Sequence, residues 1–190
     1  QNNKKAEEYF EIIRSSSKEM DRLLDDILTY SRAAEEIQKF EEVDLHEVLT
    51  RVCENLESEI RERKAEIEVA ELPKILGHEG RIYQIFQNLI SNSLKYQLKD
   101  RSPKIEIFTP KVDDYWVIEL RDNGKGIPQN RMAEVFTEYK RIDIDPDISG
   151  SGLGLSIVKR HMEAHGGTIE LHSELNKGTS FHLFFPKTQN

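Results

Sequence analysis

The chain has 190 residues, 33% of them charged, with a formal net charge of −8 at pH 7. This length suits one packed domain with an appendage, and the acidic balance without a dense Lys/Arg cluster argues against nucleic acid as a partner. The single cysteine, Cys53, excludes a disulfide framework, and no apolar run approaches the roughly 18 residues of a membrane span. We therefore expect a cytoplasmic fragment without membrane contact, and the Gln at position 1 indicates that it was cut from a longer chain.

The first predicted element is one long helix over residues 6–40, which contain no Gly or Pro. Its apolar residues, from Tyr9 to Ile37, recur at alternating steps of four and three, the seam of a coiled coil or helical bundle. A single helix cannot bury such a stripe on itself. Self-association into a dimeric bundle is therefore favoured over a helix that folds back on the following domain.

A second helix is predicted to begin after Asp44, a plausible N-cap with Glu47 three residues later. Its buried stripe runs from Leu45 to Ile60, and alternation around Ile67 then predicts a half-buried strand. The next helix, over residues 81–96, buries one apolar stripe. On another of its faces it presents a polar row of Gln84, Asn88, Asn92 and Lys95.

This polar row has two possible meanings. Carboxamide oxygens can ligate Mg²⁺ and an ammonium can meet phosphate oxygens, so the set suits a metal-bound polyphosphate. Alternatively, it is the solvated face of an ordinary amphipathic helix.

The second half of the chain begins with a predicted antiparallel hairpin, whose strands lie around Ile105–Ile107 and over residues 115–121. Asp122 then leaves a strand end just before Gly124 and Gly126. A carboxylate there can accept a hydrogen bond from an exocyclic amine, and glycines let backbone approach a flat base. The alternative is a simple connecting turn.

Residues 129–150 contain a short predicted helical stretch with Val135 and Phe136. The polar, Pro-bearing sequence from Asp143 to Ser149 that follows is typical of a mobile flap, and it ends at glycines that precede a helix reaching about His165. Glycines ahead of a helix leave backbone N–H groups to hold phosphates. The spacing matches neither a P-loop nor a dinucleotide fingerprint. A second hairpin is predicted over residues 168–173 and 179–185.

Together these motifs resemble the N, G1, F, G2 and G3 boxes of sensor histidine kinases, which share an ATP-binding fold with gyrases, mismatch-repair ATPases and large heat-shock chaperones. The resemblance is carried by Asn88-x-x-x-Asn92-x-x-Lys95-Tyr96, Asp122-x-Gly124-x-Gly126, Phe136, Gly152-x-Gly154 and Gly178-Thr179. The run from Lys95 to Ile105 is reminiscent of phytochrome-like kinases. Ser93 stands where alanine is usual in the family.

The resemblance implies an α/β fold, a two-layer sandwich of a mixed, mostly antiparallel sheet packed on helices. It also implies two domains: residues 1–43, the second helix of an incomplete dimerisation and phosphotransfer domain, and residues 44–190, the ATP-binding catalytic domain. The segment over residues 127–149 would be the ATP lid. The implied ligands are ATP and Mg²⁺.

Site roles also follow from the resemblance. Asn92 would ligate Mg²⁺ with Asn88 beside it, Asn92 and Lys95 would act in catalysis, and Lys95 and Tyr96 would contact phosphate and ribose. Asp122 would recognise the adenine amine. The remaining nucleotide-binding residues would be Gly124, Gly126, Ile127, Gly150, Gly152, Leu153, Gly154 and Thr179.

The family's acceptor box, His-Glu/Asp-x-Arg/Lys-x-Pro, is absent from the sequence. His46-Glu47 resembles it superficially, but Arg51 stands in place of the closing proline, so His46 is interpreted as part of an ordinary helix. The resemblance then implies a kinase core that donates the γ-phosphoryl group to a histidine-bearing helix outside this fragment. Its further partners would be a response-regulator receiver domain and, in the parent protein, a second copy of the chain.

Two alternatives stay open: an ATP-hydrolysing module of the gyrase or chaperone type, and a non-catalytic ATP-sensing dimerisation module. Hydrolysis would need a carboxylate to activate water, and residues 81–96 contain no acid. Intact boxes argue against the non-catalytic module.

Overall fold

The computed structural model describes residues 10, 14, 17, 20, 40–110, 114–138, 140 and 152–187. Most of the long helix predicted over residues 6–40 lies outside this part of the chain, so its existence and its role in dimerisation stay predictions. Gly150 and the predicted flap from Asp143 to Ser149 also lie outside the described residues.

The described residues form seven strands, four α-helices and one 3₁₀ helix. In chain order they are β1 (Glu41–Asp44), α1 (Leu45–Asn55), α2 (Glu57–Arg63), β2 (Glu66–Val69), β3 (Lys74–Gly77), α3 (Glu79–Lys95), β4 (Lys104–Phe108), β5 (Tyr115–Asp122), the 3₁₀ helix (Gln129–Glu134), α4 (Gly154–Ala164), β6 (Thr168–Glu174) and β7 (Gly178–Pro186). None of these helices combines the length and apolarity needed to cross a bilayer.

The main sheet has five strands in the order β2-β4-β5-β7-β6. The β2–β4 pair is parallel, and the other three pairs are antiparallel. Helices cover one face, where Ile118 and Leu120 of β5 join Phe86 and Leu89 of α3 in a single apolar core. The predicted fold, a mixed and mostly antiparallel sheet packed on helices, is confirmed.

A small second sheet was not predicted. In it β1 pairs antiparallel with β3, so that Val43 lies opposite Ile75, and both side chains are 2% exposed. The sheet begins at Glu41, three residues before the position predicted as the start of the catalytic domain. Residues 41–43, predicted as the end of the first domain, therefore pair with the domain that follows them.

The helix predicted to bury a stripe from Leu45 to Ile60 is divided in two, because Leu56, with a φ of −95° and a ψ of 9°, ends α1 and α2 begins after it. Asp44 caps α1, because its Oδ1 accepts the backbone N–H groups of His46 at 3.0 Å and Glu47 at 3.4 Å. The whole predicted apolar stripe of α3 is buried: Ile82, Ile85, Phe86, Leu89, Ile90 and Leu94 are each 0% exposed. Burial of this face turns the polar row of α3 toward the amino end of α4.

Candidate nucleotide-binding site

The carboxamides of α3 meet the amino end of α4. A Cβ atom on Gly154, the first residue of α4, would lie 2.9 Å from Asn88 Oδ1 and 3.9 Å from Asn92 Nδ2. The amide nitrogen of Asn88 donates to the Gln84 carbonyl oxygen at 3.0 Å, which fixes that side chain along the helix. Only a residue without a side chain lets α4 begin this close to both carboxamides.

The amino end of α4 is built to leave backbone donors available. Gly152 has a φ of 76°, the left-handed region that favours glycine, and Leu153, 0% exposed, fixes the helix start in the core. No side chain of the described residues caps this end, and Ser156 donates its hydroxyl to the Leu153 carbonyl oxygen at 2.8 Å. Uncapped N–H groups and the helix dipole together favour an anion such as phosphate.

At the other end of the site, the Asp122 carboxylate is held by three hydrogen bonds. Its Oδ1 accepts the backbone N–H groups of Gly124 at 2.8 Å and Thr179 at 3.2 Å. Its Oδ2 accepts the hydroxyl of Ser93 at 3.1 Å. Burial raises the pKa of Asp122, and the three hydrogen bonds oppose that rise by stabilising the carboxylate.

The two glycines after Asp122 are required by contacts with the chain itself. A Cβ on Gly124 would lie 2.6 Å from the Tyr96 carbonyl oxygen, and one on Gly126, whose φ is 65°, would collide with the Glu174 carbonyl oxygen. The Lys125 backbone N–H donates to the same Tyr96 oxygen at 2.8 Å. The loop is thus held between the end of α3 and the β6–β7 turn.

Ser173 of β6 anchors the next residues. It accepts the Ile127 backbone N–H at 2.8 Å, donates to the Gly178 carbonyl oxygen at 2.9 Å and lies 3.0 Å from the Thr179 hydroxyl. Because the serine proton is committed to Gly178, Thr179 supplies the proton between the two hydroxyls. These bonds fix the point at which the predicted lid leaves the sheet.

The structure therefore brings the predicted site residues together in two groups along α3. The first group consists of Asn88, Asn92 and Gly154, and the second consists of Asp122 and the residues that contact it. Lys95 and Tyr96 end α3 beside the second group, where the Tyr96 carbonyl oxygen accepts the Lys125 N–H at 2.8 Å, and the Tyr96 N–H donates to the Asn92 carbonyl oxygen at 2.9 Å. Gly150 cannot be placed, because it lies outside the described residues.

Sequence reasoning missed the supporting residues Ser93 and Ser173. Ser93 carried a signal, because it departs from the alanine usual in the family and lies next to Asn92. Ser173 carried none, since a serine on a strand is unremarkable until its partners are known. The contacts of both residues cross long stretches of sequence, and local patterns do not reveal such contacts.

The donor chemistry of the first group fits Mg²⁺. No cluster of three or more His, Cys, Asp or Glu side chains in the described ranges could hold a metal by itself. Mg²⁺ bound mainly by phosphates and water needs few protein ligands, and carboxamide oxygen is among those it accepts. Asn88 and Asn92, close to an anion-binding helix end, provide such oxygens.

Comparison with known proteins decides the family. Residues 77–189 match the model of the histidine kinase-, DNA gyrase B-, and HSP90-like ATPase family. The chain belongs to this family. It is an ATP-binding catalytic domain of the sensor histidine kinase type, and such kinases are transferases.

Individual relatives agree with this assignment. The phytochrome-like protein Cph1 of Synechocystis is 36% identical over 167 residues, which make up 88% of this chain and 22% of that protein. A mycobacterial sensor histidine kinase, MprB, superposes with a TM-score of 0.66 and 27% identity over 77% of this chain and 97% of that one. Full-length ShkA in complex with AMPPNP gives a TM-score of 0.76 and 27% identity over 95% of this chain and 39% of that one. The chain thus spans only 22% of the phytochrome-like relative.

Proposed function

We propose that this domain binds Mg·ATP and transfers the γ-phosphoryl group to a histidine on a dimerisation helix outside the fragment, in the cytoplasm. From that histidine, the receiver domain of a response regulator accepts the phosphoryl group on an aspartate. In the parent protein, two copies of the chain dimerise through these dimerisation helices. The observation that carries the proposal is a single rigid helix, α3, with carboxamides beside an anion-binding helix end and a buried carboxylate fixed near its last turn.

Each of the two groups of residues along α3 then has a role. Asp122 accepts a hydrogen bond from the exocyclic amine of adenine, since its carboxylate is buried and fixed. The N–H groups that begin α4 hold phosphate, and Lys95 and Tyr96 contact phosphate and ribose. Asn92, with Asn88 beside it, would hold Mg²⁺, which when bound neutralises charge on the transferring phosphoryl group. The remaining catalysis is positioning of the γ-phosphoryl group toward the acceptor.

Two of the described histidines are buried and make poor internal acceptors, whereas His46 and His172 are exposed. His161 and His165 are 1% and 2% exposed, and each already has a hydrogen-bond partner. His46 lies exposed in the first turn of α1, beside the Asp44 cap. The proposal of an acceptor outside the fragment is supported by the missing acceptor box, not by the burial of the histidines.

Incubation with γ-labelled Mg·ATP tests the proposal, with protein-bound label and free phosphate both measured. We expect neither on the fragment alone, and labelling of an added histidine-bearing helix from the family's dimerisation domain. Acid-labile label on the fragment would contradict an external acceptor. Steady release of phosphate without label would instead support the hydrolysing module of the gyrase type. ATP binding with no transfer to any added helix would support the non-catalytic module.

The metal role of Asn92 has its own test. We expect Asn92→Ala to reduce Mg²⁺-dependent ATP binding and transfer by about tenfold or more, because a metal-ligand or charged hydrogen-bond contact is lost. Titration of ATP with and without Mg²⁺ measures the effect. The matched control is Gln87→Ala, which removes a carboxamide of the same helix that donates to Asn55 of α1 instead. Full activity in Asn92→Ala would exclude this metal assignment.

A further inference from the structure

Ser93 is buried beside the Asp122 carboxylate. Its side chain is 3% exposed, and its hydroxyl donates to Asp122 Oδ2 at 3.1 Å. Its carbonyl oxygen accepts the side-chain amide of Gln97, which holds the end of α3 in place. The hydroxyl is therefore fixed in position relative to the carboxylate that it contacts.

The chemistry of this pair limits what can approach it. A hydroxyl has one proton, and a hydrogen bond to a carboxylate is stronger than one to a neutral acceptor. The Ser93 hydroxyl therefore keeps its proton directed toward the Asp122 carboxylate. Both groups then present only lone pairs to an incoming base. The amine at position 6 of adenine is a donor and matches them, whereas the carbonyl at position 6 of guanine is an acceptor and is repelled.

We propose that Ser93 is a specificity-determining residue, which positions the Asp122 carboxylate for the amine of adenine and makes the site reject guanine. This inference rests on the adenine role proposed above for Asp122. The Ser93 hydroxyl and the Asp122 carboxylate together, rather than the carboxylate alone, distinguish adenine from guanine.

The surroundings of Asp122 make the Ser93 hydrogen bond consequential. Burial raises the pKa of this carboxyl group, and the causes that lower it are the hydrogen bonds from Gly124, Ser93 and Thr179, with no charged side chain among them. The neighbouring Arg121 is directed to the other face of the sheet, where its guanidinium pairs with Glu119. Loss of the Ser93 hydroxyl would raise the pKa of Asp122 further.

A protonated Asp122 would have the opposite preference. Its carboxyl O–H could donate to the carbonyl of guanine, and it would present fewer acceptors to the amine of adenine. Removal of the Ser93 hydroxyl should therefore weaken adenine binding and reduce discrimination against guanine. The pH below which adenine binding and discrimination are lost should also rise. A purely structural serine would produce none of this pattern.

The experiment measures dissociation constants of Mg·ATP and Mg·GTP over a series of pH values that begins near the ordinary carboxyl pKa of about 4 and extends upward. We expect Ser93→Ala to weaken ATP binding by about tenfold and to lower the preference for ATP over GTP by a similar factor. The pH midpoint of ATP binding should rise. Ser93→Thr retains the hydroxyl and should restore both the preference and the midpoint.

Two further variants separate specificity from stability. Ser93→Cys has nearly the volume of serine with a weak donor, so it should behave as Ser93→Ala does even if the cavity left by alanine disturbs the fold. Ser180→Ala is the matched control, because Ser180 also donates to a carboxylate at 3.1 Å, that of Glu119, on the opposite face of the sheet. It should leave both nucleotide affinities and the pH midpoint unchanged.

Asp122→Asn, measured in parallel, separates this inference from the proposed function. If Asp122→Asn loses ATP while Ser93→Ala and Ser93→Cys keep the wild-type preference and midpoint, the role of Ser93 is wrong and the adenine role stands. Equal loss of ATP and GTP in both Ser93 variants, with an unchanged midpoint, also overturns it. If Asp122→Asn binds both nucleotides as the wild type does, the adenine role itself fails.

Discussion

At the scale of single residues, the position of Asp122 is determined by partners that are distant in sequence. Ser93 lies 29 residues before it and Thr179 lies 57 residues after it. A carboxylate that accepts three hydrogen bonds at fixed positions has little freedom to rotate. Its unused lone pairs therefore point in a constant direction, which is what recognition of a planar base requires.

The adenine role of Asp122 predicts a selective defect in Asp122→Asn. The backbone N–H groups of Gly124 and Thr179 would hold the amide oxygen. The NH₂ group could then donate to the Ser93 hydroxyl oxygen, but it would oppose the adenine amine, which is also a donor. We expect ATP affinity to fall by about 10- to 100-fold, with tripolyphosphate affinity unchanged within about twofold. Competition titrations with both ligands measure this.

The control for that substitution is Asp114→Asn, which removes one negative charge from an exposed position before β5. It should alter neither affinity. Equal losses of ATP and tripolyphosphate in Asp122→Asn would contradict an adenine-specific role and indicate a general change in the site.

At the scale of elements, local periodicity was enough to predict α3. In α3 the apolar residues recur with helical spacing and every one of them is buried, so pattern and packing agree. The family resemblance predicted that Asn88, Asn92 and Asp122 are site residues. The structure places them along one helix and at the adjoining strand end, and their roles stay predictions.

The short strands β1 and β3 could not be predicted in the same way. Each has four residues, and Glu41 pairs with Gly77 across 36 positions. Glu41 and Glu42 continue the charged pattern of the preceding segment, while Leu72-Pro73 suggested only the end of a strand. Their stability comes from contact between Val43 and Ile75 within the core, which depends on tertiary structure rather than on local sequence.

The packing of α3 against α4 gives an element-scale prediction for Gly154→Ala. The added Cβ would lie 2.9 Å from Asn88 Oδ1, so either the carboxamide or the start of α4 must move. We expect ATP affinity to fall by about tenfold, since the movement disturbs the proposed metal and phosphate groups together. Alanine is favoured in a helix by up to about 1 kcal/mol over glycine, so the thermal midpoint should change little.

Gly80→Ala provides the comparison for that variant. Gly80 lies in α3, and its added Cβ would make ordinary contact with the His78 ring at 3.6 Å. It should raise the thermal midpoint slightly and leave ATP affinity unchanged. A Gly154→Ala protein that binds ATP as tightly as Gly80→Ala does would show that the close approach is unnecessary for binding.

At the scale of the whole molecule, buried histidines join the end of α4 to the start of α3. His161 Nε2 lies 2.7 Å from Gln84 Oε1, which makes that nitrogen the donor. His165 accepts the His78 backbone N–H on Nε2 at 3.0 Å and donates from Nδ1 to the His161 carbonyl oxygen at 2.6 Å. The Phe40 ring meets His165 edge-on with ring centroids 5.3 Å apart, so the entry to the domain packs on the same cluster.

This cluster predicts a loss of stability on acidification. Burial, with a smaller contribution from the positive charge of Arg81, lowers the pKa of His161 to about 4. Between about pH 6.5 and about pH 4 the unfolded chain therefore binds a proton that the folded protein excludes, and the free energy of unfolding falls as pH falls. Above that window the full stability is present.

Urea titrations across the window measure the effect. Relative to the wild type, His161→Gln should remove up to about 3 kcal/mol of this pH dependence, because glutamine keeps an N–H donor but does not titrate. His46→Gln, at an exposed position of α1, is the control and should retain the wild-type profile. An identical profile in His161→Gln would show that another group causes the dependence.

The Thr179 hydrogen bond to Asp122 also bears on how the protein is made. Thr179 lies on β7, the last strand of the described chain, so a nascent chain that already contains Ser93 and Asp122 still lacks one of the groups that orient the carboxylate. Nucleotide recognition should therefore arise late in synthesis, when β7 inserts between β5 and β6 and completes the sheet. Since ATP then binds the completed fold and not its precursors, cellular ATP acts as a selective stabiliser of finished molecules.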